Sequence, residues 1–129
     1  MSCEFHFHKQ DYSSMLDVVM EYGSSRGFKV ILYGETHSSK TAGTIKYDER
    51  LIIINRALCC SGCWLMTILH ELGHMMHFLD SGSLEEAQFL KEFPDKDKRE
   101  KTANVLGKKI SNELKFMLDK EWDYMEFEM

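Results

Sequence analysis

The chain has no surplus of positive charge: 16 lysines and arginines stand against 21 aspartates and glutamates, a formal charge of −5. The charges are spread along the sequence with no basic stripe, so direct nucleic-acid binding is not expected. No basic region followed by an apolar run opens the sequence at MSCEFHFHKQ, and no later stretch reaches the length needed to cross a bilayer. The expectation is a soluble, cytoplasmic protein with no membrane partner. Cysteine is scarce and clustered, with Cys3 alone and Cys59, Cys60 and Cys63 in CCSGC, which is not the even spread of a secreted disulfide framework. Cys60 and Cys63 form a CxxC that lacks both a second CxxC and a thioredoxin-like βαβ setting, so free thiols in a reducing compartment are expected.

At 129 residues and 15.1 kDa, with 43% hydrophobic residues, the chain suits one domain over 1–129 with a single core. Phe5 and Phe7 alternate with His6 and His8, as in a short strand or extended arm. Met15, Leu16, Val18, Val19 and Tyr22 mark one face of a helix beginning near 11–14, with Gly23 as its stop. FKVILY (28–33) reads as a strand, GETHSSKTAG as an exposed loop or wide hairpin, Thr44 to Tyr47 as a short strand and RLIIIN (50–55) as a strand covered on both faces. Ser83 and Glu86 fit a capping box opening a short helix that Pro94 ends. A long helix follows, with Ala103, Leu106, Ile110, Leu114, Met117 and Leu118 on its apolar face. The predicted class is α+β: a small twisted sheet against a central helix and a long C-terminal helix.

The central helix is WLMTILHELGHMMHFL (64–79), and it carries His70, Glu71 and His74 in the order HExxH. At about 100° per residue, His70 and His74 project from one face roughly one turn apart, the separation two imidazoles need to bind one metal ion. Glu71 lies about 100° further round, beside such a metal rather than bound to it. Unpartnered imidazoles and a carboxylate are costly inside an apolar helix, and a metal would satisfy them together. The chemistry assigned to this arrangement is attack on a carbonyl by a water that zinc acidifies and the glutamate deprotonates.

A third ligand is required. Asp80 falls where some HExxHxxGxxD sites place theirs, but His77 replaces the glycine that would swing it back to the metal. His77 is nearly one turn past His74, and a straight helix cannot wrap three such residues around one ion. Glu100 is the better candidate. It shares a side of the long helix with Ala103 and Gly107, and a glycine inside a helix costs about 1 kcal/mol relative to alanine, which is understandable if small residues let two helices approach closely. That approach would carry Glu100 to the metal and Asn104, one turn on, to the free ring nitrogen of a ligating histidine. His37, Tyr33, Tyr47 and Tyr124 are the candidate donors to a developing oxyanion, and spacing does not choose among them.

HELGH followed by EKTANVLG resembles the gluzincin signature HExxH…ExxA(N/D), most closely that of the ImmA/IrrE-like metallopeptidases, over roughly 50–110. The similarity includes the apolar strand ending in Asn55. It implies a zincin-like fold, a Zn2+ ion held by His70, His74 and Glu100, and Glu71 as general base and later proton donor. It also implies a protein substrate, with transcriptional repressors as the class some members cleave. Leu106 and Gly107 stand where the family often has phenylalanine and alanine, leaving the subfamily open. In such peptidases the strand preceding the active-site helix commonly pairs with an extended substrate. Two other readings remain: a catalytically inactive zincin-like module that binds or regulates a partner, and a thiol-based metal sensor built on Cys60 and Cys63.

Overall fold

The computed structural model describes residues 13–33, 43–55 and 61–114. In chain order these form α1 (Ser13–Ser24), β1 (Lys29–Tyr33), β2 (Gly43–Lys46), β3 (Leu51–Asn55), α2 (Ser61–Asp80), α3 (Glu86–Glu92) and α4 (Lys96–Glu113). The class is α+β, as expected. The N-terminal segment with Phe5 and Phe7, the loop carrying His37, Cys59 and Cys60, and the tail beyond Leu114 lie outside the described residues, as does the side chain of Cys63. Among the described residues no helix is long and apolar enough to cross a membrane.

The sheet is mixed, in the order β1-β3-β2. β1 runs parallel to β3, with Val30 opposite Ile52, and β2 runs antiparallel to it, with Ile45 opposite the same Ile52. The sequence leaves open which strand is the edge; here both sides of β3 are taken, which removes it from the pairing role that the resemblance suggested for the strand preceding the central helix. Its β-branched residues suit that central place, and Ile52 and Ile54 are fully buried. The edge strand beside α2 is β2.

α2 packs against the sheet, α1 and α4 together, which is why its sequence is apolar on nearly every side. Leu65, Ile68, Leu69, Leu72 and Met75 are fully buried, each contributing about 1.5–3 kcal/mol by leaving water. Against α4 the approach is closest. A Cβ on Gly107 would stand 2.6 Å from the Leu69 carbonyl oxygen, and one on Gly73 would overlap the Ala103 carbonyl. The two helices therefore meet backbone to backbone at a glycine from each side. Residues 69, 70, 73 and 74 of α2 face 107, 104, 103 and 100 of α4 in turn, so the helices run antiparallel along this seam.

Three local expectations are corrected. Gly23 does not stop α1, which runs to Ser24; Gly23 is buried inside the helix, where a Cβ would meet Val30 at 3.0 Å and Leu72 at 3.1 Å. The reversal falls at Gly27 instead, whose φ of +88° only glycine adopts freely. Val18 is turned outward at 43% exposed, because the apolar face of α1 is completed by Leu16, Val19 and Tyr22. The capping box on Ser83 does not form: the Ser81 hydroxyl donates to Ser83 Oγ within the preceding turn. Glu85 is the N-cap residue of α3, and the Glu86 N–H donates to Asp48 of the β2–β3 turn at 2.7 Å.

Candidate metal centre

The seam between α2 and α4 brings His70, His74 and Glu100 together, with one ligand atom of each within 4.8 Å of the others. His74 Nε2 lies 2.5 Å and His70 Nε2 3.2 Å from Glu100 Oε2. The imidazoles come from one face of α2, their rings edge to face at 4.8 Å. The carboxylate comes from the first turns of α4. Gly73 and Gly107 are what make its reach sufficient, since a methyl at either position would push the helices apart.

His70 is held from behind. Its Nδ1 stands 2.6 Å from Asn104 Oδ1. With Nδ1–H donating to that carbonyl oxygen, the neutral ring presents the lone pair of Nε2 to Glu100 Oε2, one acceptor facing another. A shared proton or a cation resolves that opposition. Two imidazole nitrogens and a carboxylate oxygen are a donor set that suits zinc with one position left open, so the residues present fit the ion the sequence implied. Added protons are disfavoured on His70 and on Glu100. Burial, and then the neighbouring His74, lower the pKa of His70. The hydrogen bond from His74 does most to hold Glu100 down at about 2.

Glu71 is adjacent in sequence but differently placed. It is 6% exposed, and burial raises its pKa to about 7, with His74 opposing and Glu100 adding to the rise. The first residue of β2 covers it: a Cβ on Gly43 would stand 3.1 Å from Glu71 Oε2 and 2.7 Å from Thr67 Cγ2. The buried carboxyl therefore stays near the midpoint of its titration at neutral pH, where a proton acceptor and donor is most useful.

The remaining candidates separate clearly. Asp80 is exposed at the end of α2 and is not one of the converging ligand groups. His77 also lies outside that group and packs edge-on against Phe89 and Phe93, with centroids at 4.9 and 4.4 Å. Of the possible oxyanion donors, Tyr47 is buried in the β2–β3 turn and stacked on Phe78 at 4.8 Å. Burial, and then the charge of Glu71, raise its pKa. His37, Tyr124 and the side chain of Tyr33 lie outside the described residues.

Sequence reasoning missed two glycines. Gly73 carried the same signal that drew attention to Gly107, a costly glycine inside a helix, but the neighbouring histidines overshadowed it. Gly43 had no local signal, because its contact with Glu71 exists only in the folded chain. Compared with known proteins, the chain matches no family model, no curated protein and no solved structure.

Proposed function

We propose that the protein is a zinc-dependent metalloendopeptidase with a zincin-like fold, resembling the ImmA/IrrE group, that hydrolyses a peptide bond in a protein substrate. A transcriptional repressor is the substrate class that the resemblance suggests. The observation that carries the reading is the convergence of His70, His74 and Glu100 on one point, beside a buried carboxyl at Glu71.

His70, His74 and Glu100 would hold the ion, and Asn104 keeps the His70 ring in the tautomer that offers Nε2. Zinc bound there supplies a Lewis acid that acidifies water and polarises the scissile carbonyl. Glu71 would take the proton from the attacking water and return it to the leaving amine, a role that suits a buried carboxyl beside the ligand pair. Gly43 lies so close that a Cβ there would stand 3.1 Å from both Cγ and Oε2 of Glu71, which restricts the carboxyl on that side.

The test begins with metal content per chain for the wild type and Glu100→Ala, and with cleavage of a quenched fluorogenic peptide library. One zinc in the wild type and sharply less in the variant is expected. Glu71→Gln should keep its zinc and lose about 10²–10⁴-fold in turnover, the contribution of a positioned acid–base group. Zinc-replete wild type that cleaves nothing would leave a binding module, and unchanged turnover in Glu71→Gln would remove that residue from the mechanism.

A further inference from the structure

One turn beyond the ligand cluster, the α2/α4 seam opens into a cleft of about 390 Å³. His77 of α2 forms one wall, Phe93 and Pro94 of the α3–α4 link form another, and Lys98 and Arg99 of α4 close it. His77 is three residues past the ligand His74, and Arg99 immediately precedes the ligand Glu100, so the cleft continues the seam that builds the metal centre.

Arg99 is fixed rather than trailing in solvent. One of its terminal nitrogens donates to the Phe93 carbonyl at 2.7 Å, which anchors the guanidinium at the cleft and leaves the rest of its planar five-donor fork to turn towards a ligand. Among the described residues no carboxylate pairs with Arg99 or with Lys98. Two acidic residues do line the cleft. Asp95 is engaged as the N-cap of α4, accepting from the Lys98 N–H at 3.3 Å, and Glu92 is exposed. The result is an arginine held in place, with no carboxylate partner among the described residues, in a cleft it shares with the rings of His77 and Phe93.

The geometry points to a carboxylate-binding subsite in this cleft, with Arg99 as its anchor, next to the metal centre. The ligand is a carboxylate of a peptide, either an acidic side chain or a free chain terminus. That a substrate is being recognised there rests on the peptidase reading; the binding of the carboxylate does not.

The test therefore uses the full chain without metal, so that the carboxylate cannot be reporting on an ion. Four short probes are titrated and followed by amide NMR shifts at 77, 93, 98 and 99: acetyl-Ala-Ala-Ala-Glu amide, its Gln counterpart, and acetyl-Ala-Ala-Ala-Ala as free acid and as amide. At least one carboxylate probe should bind about ten-fold more tightly than its amide partner, the usual worth of a charge-assisted hydrogen bond. Preference for the Glu probe identifies an acidic side chain as the ligand, and preference for the free acid identifies the chain terminus. Arg99→Gln should abolish the discrimination. Arg99→Lys, which keeps the charge, should retain part of it, separating recognition from loss of fold. Equal binding of carboxylate and amide probes by the wild type, or discrimination that persists in Arg99→Gln, would overturn the site. Hydrolysis by the zinc-loaded chain is scored separately, so a failed peptidase reading appears there and a failed carboxylate site appears here.

Discussion

Glu71 and Glu100 are both carboxyls beside the same pair of histidines, yet burial and partners move them in opposite directions. Glu100 meets His74 and His70 directly and is held at about 2; Glu71, under Gly43, rises to about 7. Each shift is also a statement about stability. For Glu100 the stabilising effect is present above the ordinary value of 4.5 and lost as pH falls towards 2. For Glu71 the sign reverses: between 4.5 and about 7 the unfolded chain has released its proton while the folded chain keeps it, so stability falls as pH rises through that window. A shift of that size corresponds to about 3 kcal/mol. Glu71→Gln cannot titrate, so the metal-free variant should gain on the metal-free wild type by roughly that amount between pH 4.5 and pH 8. The contributions of Glu100 and His70 are common to both chains and largely cancel. Urea unfolding at pH 4.5, 6 and 8 measures the difference, and a constant gap at all three would mean that Glu71 is not a buried neutral acid. The same residue explains why the site was only partly legible in the sequence. That His70 and His74 share a face follows from helical geometry, and their nearness to Glu100 was suggested by the small residues near it. The cover over Glu71 depends on which strand is the edge, and no periodicity states that.

At the scale of elements, α2 and α4 are coupled by the absence of side chains. Helix propensity alone favours alanine over glycine by about 1 kcal/mol, so Gly107→Ala in a free helix would stabilise. Here the added methyl would stand 2.6 Å from the Leu69 carbonyl oxygen, and backbone cannot swing aside as a flexible side chain can. The expected outcome is a net loss of about 1–3 kcal/mol, the range for overpacking a tight contact, read as a lower urea midpoint with an unchanged slope. A stabilised Gly107→Ala would mean that the helices sit further apart, and with them His70 and Glu100. The helices themselves were readable because their apolar positions recur at helical spacing and Pro94 separates α3 from α4. Strand order was not readable: β3 is central because β1 returns parallel to it across a connection, and parallel pairing leaves little local trace. The start of α3 was misread for a related reason. The N–H of its first residue, Glu86, is satisfied by Asp48, 38 positions away in sequence, whereas the capping-box pattern looks only at near neighbours.

For the molecule as a whole, the proposed ion would tie the long C-terminal helix to the central one at the point where they touch most closely. An ion that binds the folded chain and not the unfolded one stabilises by mass action, by about 2.7 kcal/mol when free zinc is a hundred times its dissociation constant. With an unfolding entropy of about 2.1 cal/mol/K per residue, a chain of 129 residues should then melt about 10 °C higher. The rise should grow with the logarithm of zinc concentration and vanish with chelator. The pattern across variants carries the inference. Glu100→Gln removes the one ligand supplied by α4 and should lose most of the shift, whereas Glu71→Gln leaves all three ligand residues in place and should keep it. Cys60→Ser with Cys63→Ser tests the thiol-sensor reading in the same experiment: a shift that survives both serines and disappears with Glu100→Gln puts the ion at the α2/α4 seam. A shift that survives Glu100→Gln and disappears with the serines would put it on the thiols, and Glu100 would then be tied to α2 by its hydrogen bond from His74 alone.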